Sequence, residues 1–191
     1  MPTAAVTKDS TMEEILNAFP GAQRALFQRY HIGGCSSCGF QPTDSLEQVC
    51  RNHNLLDFDS VIAFIREADA MDRKIQITAG ELAQGIRAGG SLKLLDVRSR
   101  EEWEHTHLAE ATHVTQELVQ EILNDWAKDT PMVLYCHQGL RSMDAAAYFI
   151  GHGFTDVRSL KGGIDAWSQE VDSKIPRYQL ASAPGRKAHL M

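Results

Sequence analysis

The 191-residue sequence predicts an α/β domain with an open, mostly parallel five-stranded sheet and helices on both faces, preceded by a small all-α domain. Up to residue 70 every periodic segment has helical spacing, whereas from residue 75 short apolar runs alternate with helical runs. Such alternation is typical of a parallel sheet covered by helices. We therefore divide the chain into a tail (1–10), a helical domain (11–70), a linker (71–74), an α/β domain (75–180) and a disordered tail (181–191).

Four helices are predicted in the first domain from their caps and apolar stripes. Thr11 opens the first helix with Glu14 three residues on, which is a capping box, and Pro20 ends it. Asp44 and Glu47 form the same pattern before the third helix. The predicted helices start at Thr11, Ala22, Asp44 and Asp59 and run to about residues 19, 30, 50 and 68.

The second domain alternates strands with helices. The predicted strands are 75–77, 93–97, 112–114, 132–135 and 157–160. The predicted helices are 79–88, 100–105, 115–127 and 142–151, with a last helix from Gly163. Cys136 follows the strand 132–135 directly. It is therefore expected at the carboxyl edge of the sheet, where ligands bind in open α/β folds.

Composition and charge exclude several classes of function. The net charge of −6 argues against nucleic acid as the main partner. The sequence lacks the run of ~18 apolar residues that a membrane span needs. The first ten residues lack a basic segment followed by an apolar core, so we expect no secretory signal. The four cysteines then fit the reducing cytoplasm, and reactive or ligand roles, better than a disulfide framework.

The stretch CHQGLRS at 136–142 carries the clearest chemical signal. A cysteine between a buried strand and a helix can receive unpaired loop N–H groups and the partial positive charge of the helix N-terminus. Both favour the nucleophilic thiolate. Gly139 permits the tight turn, and Arg141 is expected to face the same concavity and attract an anionic substrate. We predict Cys136 as the nucleophile and a substrate-binding loop of His137, Gln138, Gly139, Leu140, Arg141 and Ser142.

Two other interpretations of Cys136 compete with this one. A strand cysteine can be inert core filling, but a glycine, an arginine and a helix-starting serine at loop spacing argue against that. Cysteine phosphatases and arsenate reductases also hold an oxyanion on a loop from Cys to Arg, but theirs is longer. Here only four residues, 137–140, lie between Cys136 and Arg141. The shorter loop suits a single terminal sulfur atom better than a phosphate.

The second domain resembles the rhodanese (sulfurtransferase) family over about residues 75 to 178. Three motifs in the family's order carry the resemblance: LLDVR at 94–98 with EEW at 101–103, the loop from Cys136, and LKGGI at 160–164 with Trp167. One departure is THLAEA at 106–111, where the family usually has a glycine–histidine pair and a later glycine. The departure affects a connecting turn and leaves the chemistry untouched.

The family resemblance implies a mechanism and its participants. Cys136 takes sulfane sulfur from a small donor, thiosulfate or a persulfide, and passes the sulfur to a thiol or protein acceptor. It needs no metal or organic cofactor and involves neither nucleic acid nor a membrane. Asp96 and Arg98 end a strand beside the loop and are expected to form a supporting ion pair, whose role the resemblance implies to be structural.

The cysteines of the first domain leave alternatives open. Cys35 and Cys38 form a C-x-x-C in a glycine-rich loop, and Cys50 and His53 follow at helical spacing, so that the four could hold a tetrahedral zinc. Alternatively, Cys50 is simply buried and His53 lies at the surface. The region from about Thr11 to residue 68 also resembles a small helical, disulfide-associated domain linked to hybrid-cluster redox proteins. That resemblance implies redox use of Cys35 and Cys38.

Three functions follow from these features. The first is the sulfurtransferase. The second is a redox or sulfur-relay protein in which Cys35 and Cys38 resolve or accept the persulfide. The third is a non-catalytic regulatory binding module, against which the presence of Cys136 counts.

Overall fold

Helices around a small apolar core form the first part of the chain. The computed structural model describes residues 6–33 and 39–178. The helices of this part are α1 (Met12–Ala18), α2 (Ala22–Tyr30), α3 (Leu46–Asn52) and α4 (Phe58–Ile75). Their apolar faces meet in one cluster, whose wholly buried members include Met12, Ile15, Leu26, Leu46 and Cys50. The predicted all-α region is therefore present.

Two of the predicted helix starts in this region are wrong by one or two residues. The capping box at Thr11 and Glu14 is present. The third helix, however, is capped by Ser45 with Gln48, because the Asp44 side chain accepts the Gln41 N–H at 2.7 Å and closes the preceding turn instead. The fourth helix starts at Phe58, one residue before the predicted Asp59, and Asp57 is its cap. In each case the side-chain oxygen of a neighbouring residue accepts the backbone N–H that caps the helix.

The predicted linker 71–74 lies within α4, which runs unbroken to Ile75. Met71, Arg73 and Lys74 are good helix formers. Arg73 pairs with Asp69 one turn earlier at 2.7 Å, and basic residues suit a helix C-terminus. The expected linker is thus helical, and the first strand is shortened to Gln76–Ile77. The domain boundaries themselves stay a prediction.

The second part of the chain contains the predicted five-stranded parallel sheet. Its strands are β1 (Gln76–Ile77), β2 (Lys93–Asp96), β3 (Thr112–His113), β4 (Met132–Tyr135) and β5 (Val157–Leu160). They lie in the order β1-β5-β4-β2-β3, and every neighbouring pair is parallel. The helices between and after the strands are α5 (Ala79–Arg87), α6 (Arg100–His105), α7 (Gln116–Asp125), α8 (Leu140–Gly151) and α9 (Gly163–Glu170).

Strand β4 is the centre of the sheet and positions the cysteine. Its four residues are all buried and alternate between the two faces. Val133 and Tyr135 belong to the apolar cluster on one face, and Met132 and Leu134 to the cluster on the other. Because both faces are covered, the strand has a fixed register against β2 and β5. Cys136 therefore leaves the sheet at a defined point of its carboxyl edge.

One of the contacts between the two parts of the chain is made by an arginine. Arg24 of α2 pairs with Asp72 of α4 and, at 2.8 Å, with Asp144 of α8. Asp144 lies in the helix that follows the cysteine loop. Over the described ranges 6–33 and 39–178, there is no helix with the length and apolar character to cross a membrane.

Candidate active site

The loop after β4 makes its tight turn at a glycine. Gly139 has a φ of 92°, in the left-handed region that favours glycine. A Cβ there would also lie 3.0 Å from the Gly162 nitrogen and 3.2 Å from the Leu160 oxygen. Both the backbone conformation and the space between the loop and β5 therefore require glycine at this position.

The loop presents hydrogen-bond donors to the sulfur of Cys136. The Gly139 N–H donates to Sγ at 3.1 Å, and the Ser142 Oγ lies 3.5 Å from the same sulfur. Ser159 of β5 donates to the Ser142 Oγ at 2.8 Å and thereby fixes the position of that hydroxyl. The cysteine is only 1% exposed. The sulfur thus lies in a small buried cradle whose donors are one backbone N–H and one hydroxyl.

The carbonyls of the loop face the opposite way, toward α9. The Ile164 N–H donates to the Cys136 oxygen at 2.9 Å, and the Asp165 N–H donates to the His137 oxygen at 3.1 Å. Gly163 permits this approach, since a Cβ there would lie 2.3 Å from the Cys136 oxygen. The first turn of α9 thus holds the carbonyls of Cys136 and His137, while the Gly139 N–H lies on the side of the sulfur.

Helix α8 starts at Leu140, two residues before the predicted start at Ser142. Gly139 occupies the cap position, so Arg141 and Ser142 belong to the first helical turn. The N-terminus of α8 therefore begins immediately behind the sulfur, and its partial positive charge favours an anion there. Gln138 and Leu140 lie outside the cradle with exposed side chains, and Leu140 is 54% exposed.

The guanidinium of Arg141 is held by the carboxylate of Glu102. Its two terminal nitrogens donate to the two oxygens of Glu102 at 2.6 and 2.7 Å. Hydrogen bonds to Glu102 raise the pKa of Arg141, and a negative charge on Cys136 acts in the same direction. The side chain is 33% exposed. Arg141 therefore borders the cradle as one half of an ion pair.

Glu102 is one of the residues of the site that the sequence patterns did not identify. Burial acts to raise its pKa, but hydrogen bonds from Arg141 and from the Ser99 N–H outweigh burial and lower the pKa to about 2. The available signal was local, because Ser99 and Glu102 form a capping box at the start of α6. The capping box fixes Glu102 at a helix start but contains no information about a partner 39 residues away.

Asp96 and Arg98 form the predicted ion pair, and both side chains are wholly buried. The Arg98 Nε donates to the Asp96 carboxylate at 2.9 Å, and Nη2 donates to the Thr106 oxygen at 2.7 Å. Its remaining nitrogen, Nη1, donates to the Tyr178 hydroxyl at 2.8 Å. The pair joins the end of β2 to the turn after α6 and to the chain beyond α9.

The part of the chain that contains this site is similar to known sulfurtransferases. The thiosulfate sulfurtransferase GlpE of Pseudomonas syringae pv. syringae is 36% identical over 87 residues, which cover 46% of this chain and 81% of GlpE. The chain belongs to the rhodanese family. The family model described as a rhodanese-like domain matches residues 78–170. The matched region contains the cysteine loop, both of its flanking motifs and Glu102.

Two further relatives extend the comparison. The adenylyltransferase and sulfurtransferase UBA4 of Candida albicans is 30% identical over 188 residues, or 92% of this chain, but this chain spans only 42% of that protein. A rhodanese-like domain protein from Staphylococcus aureus has a solved structure that is 24% identical, with a TM-score of 0.45, over 55% of this chain and 98% of that one.

Three cysteines lie outside the rhodanese domain, and the structure describes one of them, Cys50. Cys35 and Cys38 lie outside the described residues. Cys50 is wholly buried in the helical core, and burial raises its pKa to about 11. His53 ends α3 and is half-buried. Among the residues that the structure describes, no group of three or more His, Cys, Asp or Glu side chains is placed to hold a metal ion.

Proposed function

We propose that this rhodanese domain transfers sulfane sulfur as a persulfide on Cys136. The observation that supports this function is the donor cradle, in which the Gly139 N–H lies 3.1 Å from the sulfur. The carbonyls of Cys136 and His137, which would repel negative charge, are bound by α9 instead. A site of preorganised donors stabilises negative charge on sulfur, in the thiolate and equally in the persulfide that replaces it.

The reaction divides into two sulfur transfers. In the first, the Cys136 thiolate attacks the outer sulfur of thiosulfate, a new S–S bond forms, and sulfite leaves with the electron pair of the broken S–S bond. In the second, a thiolate or another thiophilic acceptor attacks the terminal sulfur of the persulfide, and the Cys136 thiolate leaves. Charge balances in both steps, and neither step needs an external oxidant or reductant.

The two serines have a defined part in this proposal. Ser159 donates its hydrogen to Ser142, so the single hydrogen of Ser142 is left to point either to the Gly139 oxygen at 3.2 Å or to the Cys136 sulfur at 3.5 Å. Negative charge on the sulfur favours the second orientation. Ser142 therefore acts as a switchable donor that strengthens its bond to sulfur when the thiolate or persulfide forms.

The electrostatics of the loop favour sulfur over phosphate. A phosphate dianion needs several cationic donors. The guanidinium of Arg141, however, already donates two hydrogen bonds to Glu102, at 2.6 and 2.7 Å. With only four residues between Cys136 and Arg141, the loop is also short. We propose that Arg141, its charge partly balanced, attracts an anionic donor such as thiosulfate or a persulfide, while the Asp96–Arg98 pair supports the loop from behind.

The acceptor is proposed to be a thiol, either of a small molecule or of a protein. The exposed Gln138 and Leu140 lie beside the cradle and offer the first surface that an approaching acceptor meets. Cys136 must return to the thiolate after each turnover, so a reducing compartment such as the cytoplasm suits the reaction.

Steady-state assays with thiosulfate as donor and cyanide as acceptor test the function. We expect turnover by the wild type and a fall to background in Cys136→Ser, because a serine hydroxyl is not ionised at neutral pH. The Cys35→Ser/Cys38→Ser double variant should keep its activity, since cyanide takes sulfur from Cys136 directly. Full activity in Cys136→Ser, with an unchanged melting temperature, would overturn the assignment. Loss of activity in the double variant would favour a sulfur relay.

A further inference from the structure

The chain beyond α9 folds back along that helix toward the cradle. The Ser168 hydroxyl donates to the Ile175 oxygen at 2.6 Å. Arg177 forms two hydrogen bonds with the Asp165 carboxylate, at 2.7 and 3.0 Å. Val171, Ile175 and Tyr178 pack against the apolar cluster of the sheet. These contacts hold the segment 171–178 against the same helix whose first turn binds the loop carbonyls.

Tyr178 ends this segment on the active loop itself. Its ring stacks on the buried His137 ring, with centroids 4.4 Å apart and an angle of 21° between the planes. Its hydroxyl donates to Glu102 Oε1 at 3.1 Å and accepts from Arg98 Nη1 at 2.8 Å. Tyr178 therefore contacts both the loop and the carboxylate that holds Arg141.

The charge states fix the direction of this hydrogen-bond chain. Burial raises the pKa of Tyr178, so its hydroxyl keeps its proton at neutral pH. The lowered pKa of Glu102 keeps that side chain a carboxylate, which accepts. The chain therefore runs from Arg98 through Tyr178 to Glu102. On Glu102, Oε1 is shared between Tyr178 and Arg141.

We propose that Tyr178 is a positioning residue that tunes how much positive charge Arg141 presents to an anionic sulfur donor. The inference rests on the proposed function for the identity of that donor. By donating to Oε1, the tyrosine hydroxyl draws negative charge away from Arg141 and fixes the carboxylate. Without the hydroxyl, Oε1 belongs to Arg141 alone, and the guanidinium is more fully neutralised.

Tyr178→Phe is the sharpest variant, because it keeps the ring and its stacking on His137 but removes the hydroxyl. Tyr148→Phe is the matched control, since Tyr148 lies half-exposed on the outer part of α8. We expect Tyr178→Phe to raise KM for thiosulfate about threefold to tenfold while kcat changes less, because one hydrogen bond acting through a second residue is lost. Tyr148→Phe should leave both constants unchanged.

A second measurement does not depend on sulfur transfer. Iodoacetate is an anion and iodoacetamide is neutral. The ratio of the iodoacetate rate to the iodoacetamide rate for alkylation of Cys136 therefore reports the local positive charge. Peptide mass spectrometry measures both rates. We expect Tyr178→Phe to lower this ratio about as much as it raises KM, and Tyr148→Phe to leave it unchanged. In an Arg141→Ala background, Tyr178→Phe should have no further effect on the ratio.

These results separate the two proposals. If the wild type fails to turn over thiosulfate but the alkylation ratio still falls in Tyr178→Phe, the sulfurtransferase function is wrong and the positioning role stands. If both reagents slow by the same factor, Tyr178 acts only on the fold, and the positioning role is overturned. An unchanged ratio in Tyr178→Phe, or an equal fall in the Arg141→Ala background, overturns it as well.

Discussion

Replacing Glu102 with glutamine removes one charge from the centre of the Arg98–Tyr178–Glu102–Arg141 chain while preserving the shape of the side chain. The folded-state pKa of Glu102 is about 2, against an ordinary value of 4.5. A pKa lowered by that amount corresponds to about 3 kcal/mol of stabilisation of the folded state. Arg141 is a third exposed and the glutamine oxygen still accepts one hydrogen bond, so we expect Glu102→Gln to lose about 2 to 3 kcal/mol at pH 7.

The lowered pKa of Glu102 also predicts how this loss of stability changes with pH. Because the folded pKa lies below the ordinary value, the stabilisation is fully present above pH 4.5 and is lost as the pH falls toward 2. The difference in unfolding free energy between wild type and Glu102→Gln should therefore be constant from pH 7 to pH 5. Below pH 4.5 it should shrink by about 1.4 kcal/mol per pH unit.

Urea unfolding of both proteins at pH 7, 5, 4 and 3.5 measures the difference. Glu101→Gln is the matched control, because Glu101 is the exposed neighbour on the same helix and should cost far less stability. A difference below about 1 kcal/mol at pH 7 would refute the reasoning, since such a value is typical of a surface ion pair. A difference that does not change down to pH 3.5 would refute it equally, because it would not arise from the carboxylate charge.

Two further predictions concern the glycine below the loop and the first cysteine pair. Gly163→Ala should destabilise the fold by about 2–5 kcal/mol and abolish transfer, because φ is 61° and the new Cβ would meet a loop carbonyl. Gly151→Ala, where nothing lies within 4 Å, is its control. We also predict that Cys35 and Cys38 form a reversible disulfide, so that thiol titration gives two more thiols after reduction. Stoichiometric zinc in the purified protein, with no change in titration, would contradict the disulfide.

The features that local patterns encode were predictable from the sequence. Strand β4 is a short apolar run before a cysteine, and the loop after it carries its own glycine and helix start, so the donor cradle at Cys136 follows from adjacent residues. The capping box at Thr11 is likewise contained within four residues. In such cases the hydrogen-bond partners lie close in sequence, and the residue types at a fixed spacing identify them.

The features that were missed join residues distant in sequence. Arg141 and Glu102 are 39 residues apart, and no spacing rule pairs an arginine of one helix start with a glutamate of another. Tyr178 lies beyond the last predicted helix, in a segment whose sequence pattern gives no sign that the chain returns to the loop. The helical structure of residues 71–74 has a different explanation. Three of these four residues are charged, but Met71, Arg73 and Lys74 are good helix formers, and α4 continues through them.

The account depends most directly on whether sulfur is carried by Cys136. The decisive measurement is mass spectrometry of the non-reduced protein after treatment with thiosulfate and removal of excess donor, followed by peptide mapping. We predict an added mass of about 32 Da, one sulfur atom, on the peptide that contains Cys136, and its loss after incubation with cyanide. The adduct on Cys35 or Cys38 alone, or on no cysteine while the wild type still transfers sulfur, would contradict the mechanism.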